Sequence, residues 1–269
     1  MNGNLQEKYN KLLNILRSTG GLAVAFSGGV DSAFLVYAAH EALDGKLLSI
    51  TAVTQSYPRH EAADAARILA QYGVKHEEIT LDQLAIPGFC QNGAERCYYC
   101  KYALFTKIKE VAQKHGISLV ADGANTDDES DYRPGMRATA ELGILSPLRE
   151  AGFSKQDIRD ISKKLGIFTW NKPSYACLAS RIPYGEEITE EKLAMVEKAE
   201  QALLDMGFKE MRVRCHGKVA RIEIAAADME KVFARRAEIA AAAKAAGFLY
   251  AALDLEGFRS GSLNAALAK

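Results

Sequence analysis

The stretch LAVAFSGGVDSAFLVYAA, residues 22–39, decides the fold: an apolar run ends at Phe26, the turn Ser27-Gly28-Gly29-Val30-Asp31-Ser32 follows, and a helix-patterned run opens at Ala33. A glycine-rich turn between a buried strand and a helix is an anion cradle. Gly28 and Gly29 let the backbone approach a polyphosphate with no Cβ in the way. The unpaired N–H groups at the helix start, with about half a positive charge from the helix dipole, face the anion. Ser27 and Ser32 carry hydroxyl donors, and Asp31 has the carboxylate for a magnesium ion beside the phosphates. No Gly-Lys-Ser/Thr follows, so the loop is not the Walker pattern.

Outside this loop the composition is that of a water-soluble globular chain. Its 269 residues suffice for one large domain or a domain with a smaller partner, and 48% are hydrophobic and 25% charged. No run approaches the roughly 20 apolar residues that span a bilayer. The first 21 residues read as an amphipathic helix without a signal-peptide core, so the expected location is cytoplasmic, with no membrane partner. Lys plus Arg and Asp plus Glu both number 34. That balance gives no global field to collect nucleic acid, and none is expected as a partner.

Strand-like and helix-like segments alternate after the loop. Residues 47–53, 75–81 and 118–122 read as strands, and 60–72 and 101–115 as helices. The pattern predicts a doubly wound parallel sheet with helices on both faces, a fold whose ligands sit beyond the carboxyl ends of the strands. SGGVDS and the turn DGANTDD at 122–128 should then face one site. A helix over 154–165 follows, its start Ser154-Lys-Gln-Asp157 compatible with a capping box. An irregular loop, WNKPSYACLASR at 170–181, leads to an expected boundary near Pro183. This divides a large domain, 1–182, from a small α+β domain, 183–269, reading as a helix (189–206), a hairpin of two strands (211–215 and 219–225) turning at His216-Gly217-Lys218, a helix (227–246) and a strand (249–255).

Five cysteines in such a chain point to chemistry or metal binding before a disulfide framework. Cys97 and Cys100 form CYYC between Arg96 and Lys101, cations that favour thiolates, and Cys177 lies in the irregular loop. A CxxC fits a redox pair, half a zinc site or coincidence, and the second pair that would close a zinc site is missing. Three thiolates fit a cubane iron–sulfur cluster with one iron left open. A thiol acting directly and inert cysteines are the other readings. Cys90 and Cys215 read as packing residues. Arg212 and Arg214 alternate around Val213, so a strand points both guanidiniums to one face, with Arg221 and Glu223 repeating the spacing beside them. Such a pair is either a fork for phosphate or carboxylate or a solvated face of mixed charge. Ser180, Arg181 and Arg259 are further candidates for the same anion site.

The loop resembles that of the ATP pyrophosphatase superfamily, whose members cleave ATP between the α and β phosphates. Over nearly its whole length the chain is similar to the LarE-type sulfur transferases, on the segments AFSGGVDS, DDESDYRPG from Asp127, NKPSYACLASRIPYG from Asn171, MRVRCHG, VARIEI and LDLEGFRSGSLN. The resemblance implies an adenine nucleotide alpha hydrolase-like fold. It also implies ATP-dependent adenylation of a carboxylate on a pyridinium mononucleotide, then attack by sulfur with loss of AMP, in the pathway to the nickel-pincer cofactor of lactate racemase. Ser27, Gly28, Gly29, Asp31 and Ser32 would surround the ATP phosphates and magnesium. Ser180, Arg181, Glu200, Arg212 and Arg214 would surround the transferred sulfur and the substrate phosphate. Some members sacrifice one cysteine, which aligns with Ala176 here, and lack the CYYC pair. The trio Cys97, Cys100 and Cys177 matches instead the cluster-bearing members, implying a 4Fe–4S cluster that carries sulfide, with self-sacrifice of Cys177 as the alternative. The implied partners are a small nucleotide substrate, sulfide or another sulfur donor, proteins of the nickel-pincer pathway and further copies of the chain. Rival readings are a tRNA thiolase, an amidating synthetase and a non-catalytic nucleotide-binding regulator.

Overall fold

Strand β1 (Leu22–Ala25) is the centre around which the larger sheet is built. The computed structural model describes residues 3–130, 134–173, 176–259 and 262–263. Asp131, Tyr132, Arg133, Ser174, Tyr175, Ser260, Gly261 and Asn264, all within the family-like segments, lie outside the described residues. The elements in order are α1 (Gly3–Ser18), β1, α2 (Val30–Leu43), β2 (Leu47–Val53), α3 (Arg59–Tyr72), β3 (Lys75–Thr80), α4 (Arg96–Lys114), β4 (Val120–Ala121), α5 (Pro134–Glu141), α6 (Pro147–Glu150) and α7 (Lys155–Lys164). The four strands pair in parallel in the order β3-β2-β1-β4, and Ala121 forms one further parallel bridge to Leu145.

Burial on both faces explains why β1 and β2 are apolar runs rather than alternating ones. Leu22, Val24 and Leu47 point into a core shared with α1, α2, α3 and α7, including Leu12, Phe34, Ile68 and Ile161. Ala23, Leu48 and Ile50 point into a second core with Phe105, Ile108 and Val111 of α4. This is the doubly wound α/β architecture that the alternation predicts, with the nucleotide alpha hydrolase-like order. The chain moves outward from β1 to β2 and β3, then crosses back to place β4 on the other side of β1. The crevice beyond β1 and β4 is therefore the topological switch point.

Two local elements depart from the sequence reading and one forms as read. The strand expected over 118–122 is only Val120–Ala121, and beyond it the Asp122 side chain starts a turn: its Oδ1 accepts from the Ala124 N–H at 3.1 Å and from Ser146 Oγ at 2.9 Å. Helix α4 begins at Arg96 and not at residue 101, which puts CYYC in its opening turns. The capping box of α7 forms as expected, with Ser154 and Asp157 bonded reciprocally.

The second set of elements is α8 (Glu190–Asp205), β5 (Met211–His216), β6 (Val219–Ile224), α9 (Met229–Ala234), α10 (Arg236–Ala245) and β7 (Tyr250–Leu253). β5 and β6 form the expected antiparallel hairpin, with Gly217 in the left-handed region at φ 57°, and β7 adds in parallel to β6. The single helix expected over 227–246 is two. Arg235 breaks it, held out of line by its guanidinium on the Met206 carbonyl at 2.8 Å and on Glu238 at 2.6 Å.

The chain divides into two compact units, one of Met1–Thr54, Arg59–Asp82 and Cys97–Tyr175, the other of Gln55–Pro58, Gln83–Arg96 and Ala176–Lys269. The sequence reading places one cut near Pro183. The second unit holds Ala176–Lys269 together with the segments that follow β2 and β3. Main-chain bonds join them within that unit: Leu178 N–H to Ser56 O at 2.9 Å, Gly185 N–H to Asn92 O at 3.0 Å and Ile188 N–H to Cys90 O at 2.9 Å. Long-range pairing of this kind leaves no local periodicity. No helix among the described residues is long and apolar enough to cross a membrane.

Candidate active site

In the first unit, the turn after β1 curls around its own two hydroxyls. Ser27 Oγ and Ser32 Oγ lie 3.1 Å apart, the Ser27 N–H donates to Ser32 Oγ at 3.3 Å, and Ser32 Oγ donates to the Gly29 carbonyl at 3.2 Å. Gly28 sits at φ 75°, a conformation that disfavours any side chain, and Gly29 caps α2 in extended conformation without a side-chain bond. The N–H groups that open α2 lack intrahelical acceptors, as at any helix start, and stand at the switch point. The turn after β4 meets them. A Cβ on Gly123 would lie 3.1 Å from the Ser32 nitrogen and 3.3 Å from Asp31 Cβ, so this glycine is what lets the two motifs touch. SGGVDS and DGANTDD do face one place, as expected.

Two lysines that the sequence reading passed over also reach this loop. Lys155, first residue of α7, donates to Asp31 Oδ2 at 2.5 Å, and Lys172 donates to the Gly28 carbonyl at 3.4 Å. Lys172 lies in the quoted NKPSYACLASR segment, a signal that was available; Lys155 looked only like part of a helix cap. Asp31 Oδ1 is buried and has no hydrogen-bond partner among the described residues. Burial pushes the Asp31 carboxyl above its ordinary range, against the pull of the Lys155 ammonium. A carboxylate oxygen left without a donor in a polar loop fits a metal ligand.

Cys97 and Cys100 stand three residues apart at the start of α4, so they share a helix face, and both are half-buried. Gly135 of the RPG segment packs on this turn, where an added Cβ would meet the Lys101 Cδ at 2.6 Å and the Cys97 carbonyl at 3.3 Å. The cations that flank the pair have further contacts. Arg96, buried, donates to Asn92 Oδ1 at 2.5 Å and to the Ala179 carbonyl at 3.1 Å, and the stem of Lys101 lies along Gly135. Cys90 donates to the Leu84 carbonyl at 3.2 Å, and Cys215 is fully buried, its thiol pushed up by that burial.

In the second unit Cys177 is exposed at the cap of a 3-10 turn (Leu178–Arg181), its Sγ 2.8 Å from Ser56 Oγ, whose hydroxyl donates to Gln83 Oε1 at 2.6 Å. Arg181 closes that turn. Its guanidinium is wholly buried, paired with Glu200 at 2.8 and 3.0 Å, and donates to the Ala176 carbonyl and Ser180 Oγ. Ser180 Oγ in turn donates to the Cys177 carbonyl at 2.7 Å. Arg212 and Arg214 do share a face of β5, and the face is buried rather than solvated. Arg214 pairs with Glu223 through Nε and Nη2 at 3.0 and 2.9 Å, donates to the Ser180 carbonyl at 2.7 Å and meets Ser262 Oγ at 2.8 Å. Arg212 donates to the Met211 carbonyl and lies over the Phe258 ring. Arg221 also pairs with Glu223, at 3.1 Å, so one buried carboxylate serves two guanidiniums. Arg259 stays exposed and pairs with Glu256.

No group of three or more His, Cys, Asp or Glu side chains among the described residues is gathered as a metal-holding set. The trio Cys97, Cys100 and Cys177 is divided, two sulfurs in the first unit and one in the second.

A strand, an SGGVDS turn and a helix at the switch point of a parallel sheet, with an acidic turn against the helix start, define an ATP-using α/β enzyme of the pyrophosphate-loop class. The family model for asparagine synthase matches residues 13–115, the span that carries this loop. The chain is 34% identical over 266 residues to the pyridinium-3,5-bisthiocarboxylic acid mononucleotide synthase of Lactiplantibacillus plantarum, covering 98% of this chain and 96% of that one. It is 39% identical over 267 residues to an uncharacterized protein of Synechocystis, covering 98% and 100%. An uncharacterized protein of Methanocaldococcus jannaschii is 31% identical over 261 residues, covering 97% and 96%. The chain belongs to the LarE-type family of ATP-dependent sulfur transferases.

Proposed function

We propose that the enzyme adenylates a carboxylate of a pyridinium dicarboxylate mononucleotide and converts it to a thiocarboxylate. The observation that carries this is the SGGVDS loop set against Gly123 at the switch point, in a chain alike over its full length to a bisthiocarboxylic acid mononucleotide synthase. A substrate carboxylate oxygen attacks the α-phosphorus and pyrophosphate leaves, giving an acyl-adenylate. Hydrosulfide or a bound equivalent then attacks the acyl carbon, and AMP leaves with the activating oxygen. The loop N–H groups and the Ser27 and Ser32 hydroxyls hold the departing phosphates, which stabilises charge where it develops. Asp31 would hold magnesium through its unpartnered Oδ1, and the ion would neutralise phosphate charge. Arg212 and Arg214 receive the anionic end of the mononucleotide, with Ser180, Arg181 and Glu200 shaping the turn that presents Cys177.

The sulfur step rests on the three cysteines. None of the three is in a disulfide and none is fully buried, and thiolates are the ligand type that an iron–sulfur cluster takes. When bound, a 4Fe–4S cluster with one iron not held by the protein supplies a position for transferable sulfide. Cys97, Cys100 and Cys177 would be its protein ligands. A second reading, in which Cys177 gives up its own sulfur, is favoured by the exposure of that residue. The enzyme works in the cytoplasm as a homo-oligomer alongside proteins of the nickel-pincer pathway.

Anaerobic purification, iron and sulfide analysis and product counting test the proposal together. The expected result is several product sulfurs per chain, AMP with pyrophosphate, and loss of both iron and turnover on replacing any one of Cys97, Cys100 or Cys177 by Ala. One sulfur per chain, with the mass of Cys177 reduced by H₂S and Cys97 and Cys100 dispensable, establishes sacrifice instead. ADP with phosphate as products refutes adenylation, and sulfur found in tRNA refutes the mononucleotide substrate.

A further inference from the structure

Lys155 is built into the phosphate loop from two directions. Its main-chain N–H donates to Asp127 Oδ2 at 3.0 Å, so the acidic turn after β4 fixes the point from which α7 starts. The capping box of Ser154 and Asp157 fixes the helix itself. From that anchored start the side chain, about a quarter exposed, reaches back to Asp31 Oδ2 at 2.5 Å. The body of α7 holds the other lysine in register, since Arg159 donates to the carbonyls of Trp170 and Lys172 at 2.8 Å each. Two cations thus converge on a loop whose ligand is a polyanion.

Asp31 is asked to satisfy two cations. Its Oδ2 is in a close ion pair with Lys155 while Oδ1 is buried without a hydrogen-bond partner. A divalent ion on this carboxylate would face the ammonium at a separation of a few ångströms, where like charges repel strongly in partly desolvated surroundings. Without the ammonium, the buried carboxylate would carry an uncompensated charge, which is costly to hold. ATP resolves the conflict, because its phosphates bring the negative charge that lets both cations stay. A lysine suits this exchange, being a compact charge on a flexible stem that can swing between acceptors.

We infer that Lys155 is an exchangeable counter-ion: it neutralises Asp31 in the nucleotide-free enzyme and passes to the polyphosphate when the divalent cation takes the carboxylate. The inference rests on the ATP reading above and adds to it a residue and an order of events. The free enzyme resists a divalent ion arriving alone and accepts it with nucleotide.

The test uses the full-length chain with Lys155→Met. Nucleotide-free Mn²⁺ affinity is read from the electron paramagnetic resonance of the free ion, and ATP affinity by equilibrium dialysis in excess Mg²⁺. Removing the competing ammonium should tighten Mn²⁺ binding, about 5- to 10-fold, while loss of a charged phosphate contact weakens ATP roughly 10- to 100-fold. Opposite signs are the signature, because a lysine that merely supports the fold would weaken both. Lys155→Arg, which keeps a cation, should leave Mn²⁺ affinity at the parent value. If Lys155→Met fails to fold by circular dichroism, Lys155→Gln carries the same two measurements. Mn²⁺ affinity unchanged or weaker in the folded neutral variant, or ATP bound as tightly as by the parent, overturns the inference. A parent chain that binds no ATP overturns instead the reading on which it rests.

Discussion

Replacing Glu200 by Ala removes the carboxylate that faces the fully buried Arg181 guanidinium. Three hydrogen bonds go at once: Arg181 Nε to Oε1 at 2.8 Å, Arg181 Nη2 to Oε2 at 3.0 Å, and the Val213 N–H to Oε1 at 2.9 Å. Breaking one side of a buried ion pair typically costs about 3–5 kcal/mol, because the remaining charge stays desolvated. Arg181 keeps the Ala176 carbonyl and Ser180 Oγ, which offsets part of that charge and sets the expectation near the lower end, about 3 kcal/mol. At roughly 2–4 °C per kcal/mol for a chain of this size, the melting temperature should drop by about 6–12 °C. Urea and thermal unfolding followed by circular dichroism measure it, with the slope of the urea transition compared to exclude a changed denatured state. The double variant Arg181→Met with Glu200→Leu should recover much of the loss, since it removes both charges. Glu200→Ala within about 1 kcal/mol of the parent, or a double variant less stable than the single, would refute the clamp. Either result would return Glu200 to a role in substrate handling alone.

Two further outcomes follow from the geometry. Gly123→Ala places a Cβ against the backbone of Ser32 and Asp31, which must yield by a few tenths of an ångström; ATP affinity should fall several-fold at a stability cost of about 1–2 kcal/mol. Parent-level ATP binding in that variant would mean that the two turns do not share a ligand. Iodoacetamide at pH 8 on the native, metal-free chain should label Cys177, which is exposed, well before Cys215, whose thiol is shielded from the reagent and made harder to ionise by burial. Peptide mass mapping reads the order, and equal labelling of the two would contradict the burial.

The phosphate loop, the parallel order of its sheet and the hairpin of β5 and β6 were legible because each is a local pattern. Apolar runs flanked by glycine turns and an Arg-Val-Arg alternation carry their meaning within a few residues. The capping box was legible for the same reason, Ser154 and Asp157 being one helical turn apart. Much of what escaped depends on a long-range partner. Arg235 breaks a helix through the Met206 carbonyl, Asp122 accepts from Ser146 in the turn beyond a short strand, and the segments after β2 and β3 join residues from 176 onward. The Met206 carbonyl is 29 residues from Arg235 and Ser146 is 24 from Asp122, beyond the period that a window senses.

By itself the sequence determined the class of chemistry. SGGVDS without a Walker lysine requires a backbone anion cradle, and that follows from glycine freedom and helix termini alone. It also nominated the three cysteines and the arginines by residue type. Only the tertiary structure decided how those charges are balanced: Arg181 and Arg214 are held by the buried carboxylates of Glu200 and Glu223, and Asp31 by Lys155 from 124 residues away. The reason is physical. A charge taken out of water must find its counter-charge in space, and the fold selects that partner with no regard to distance along the chain.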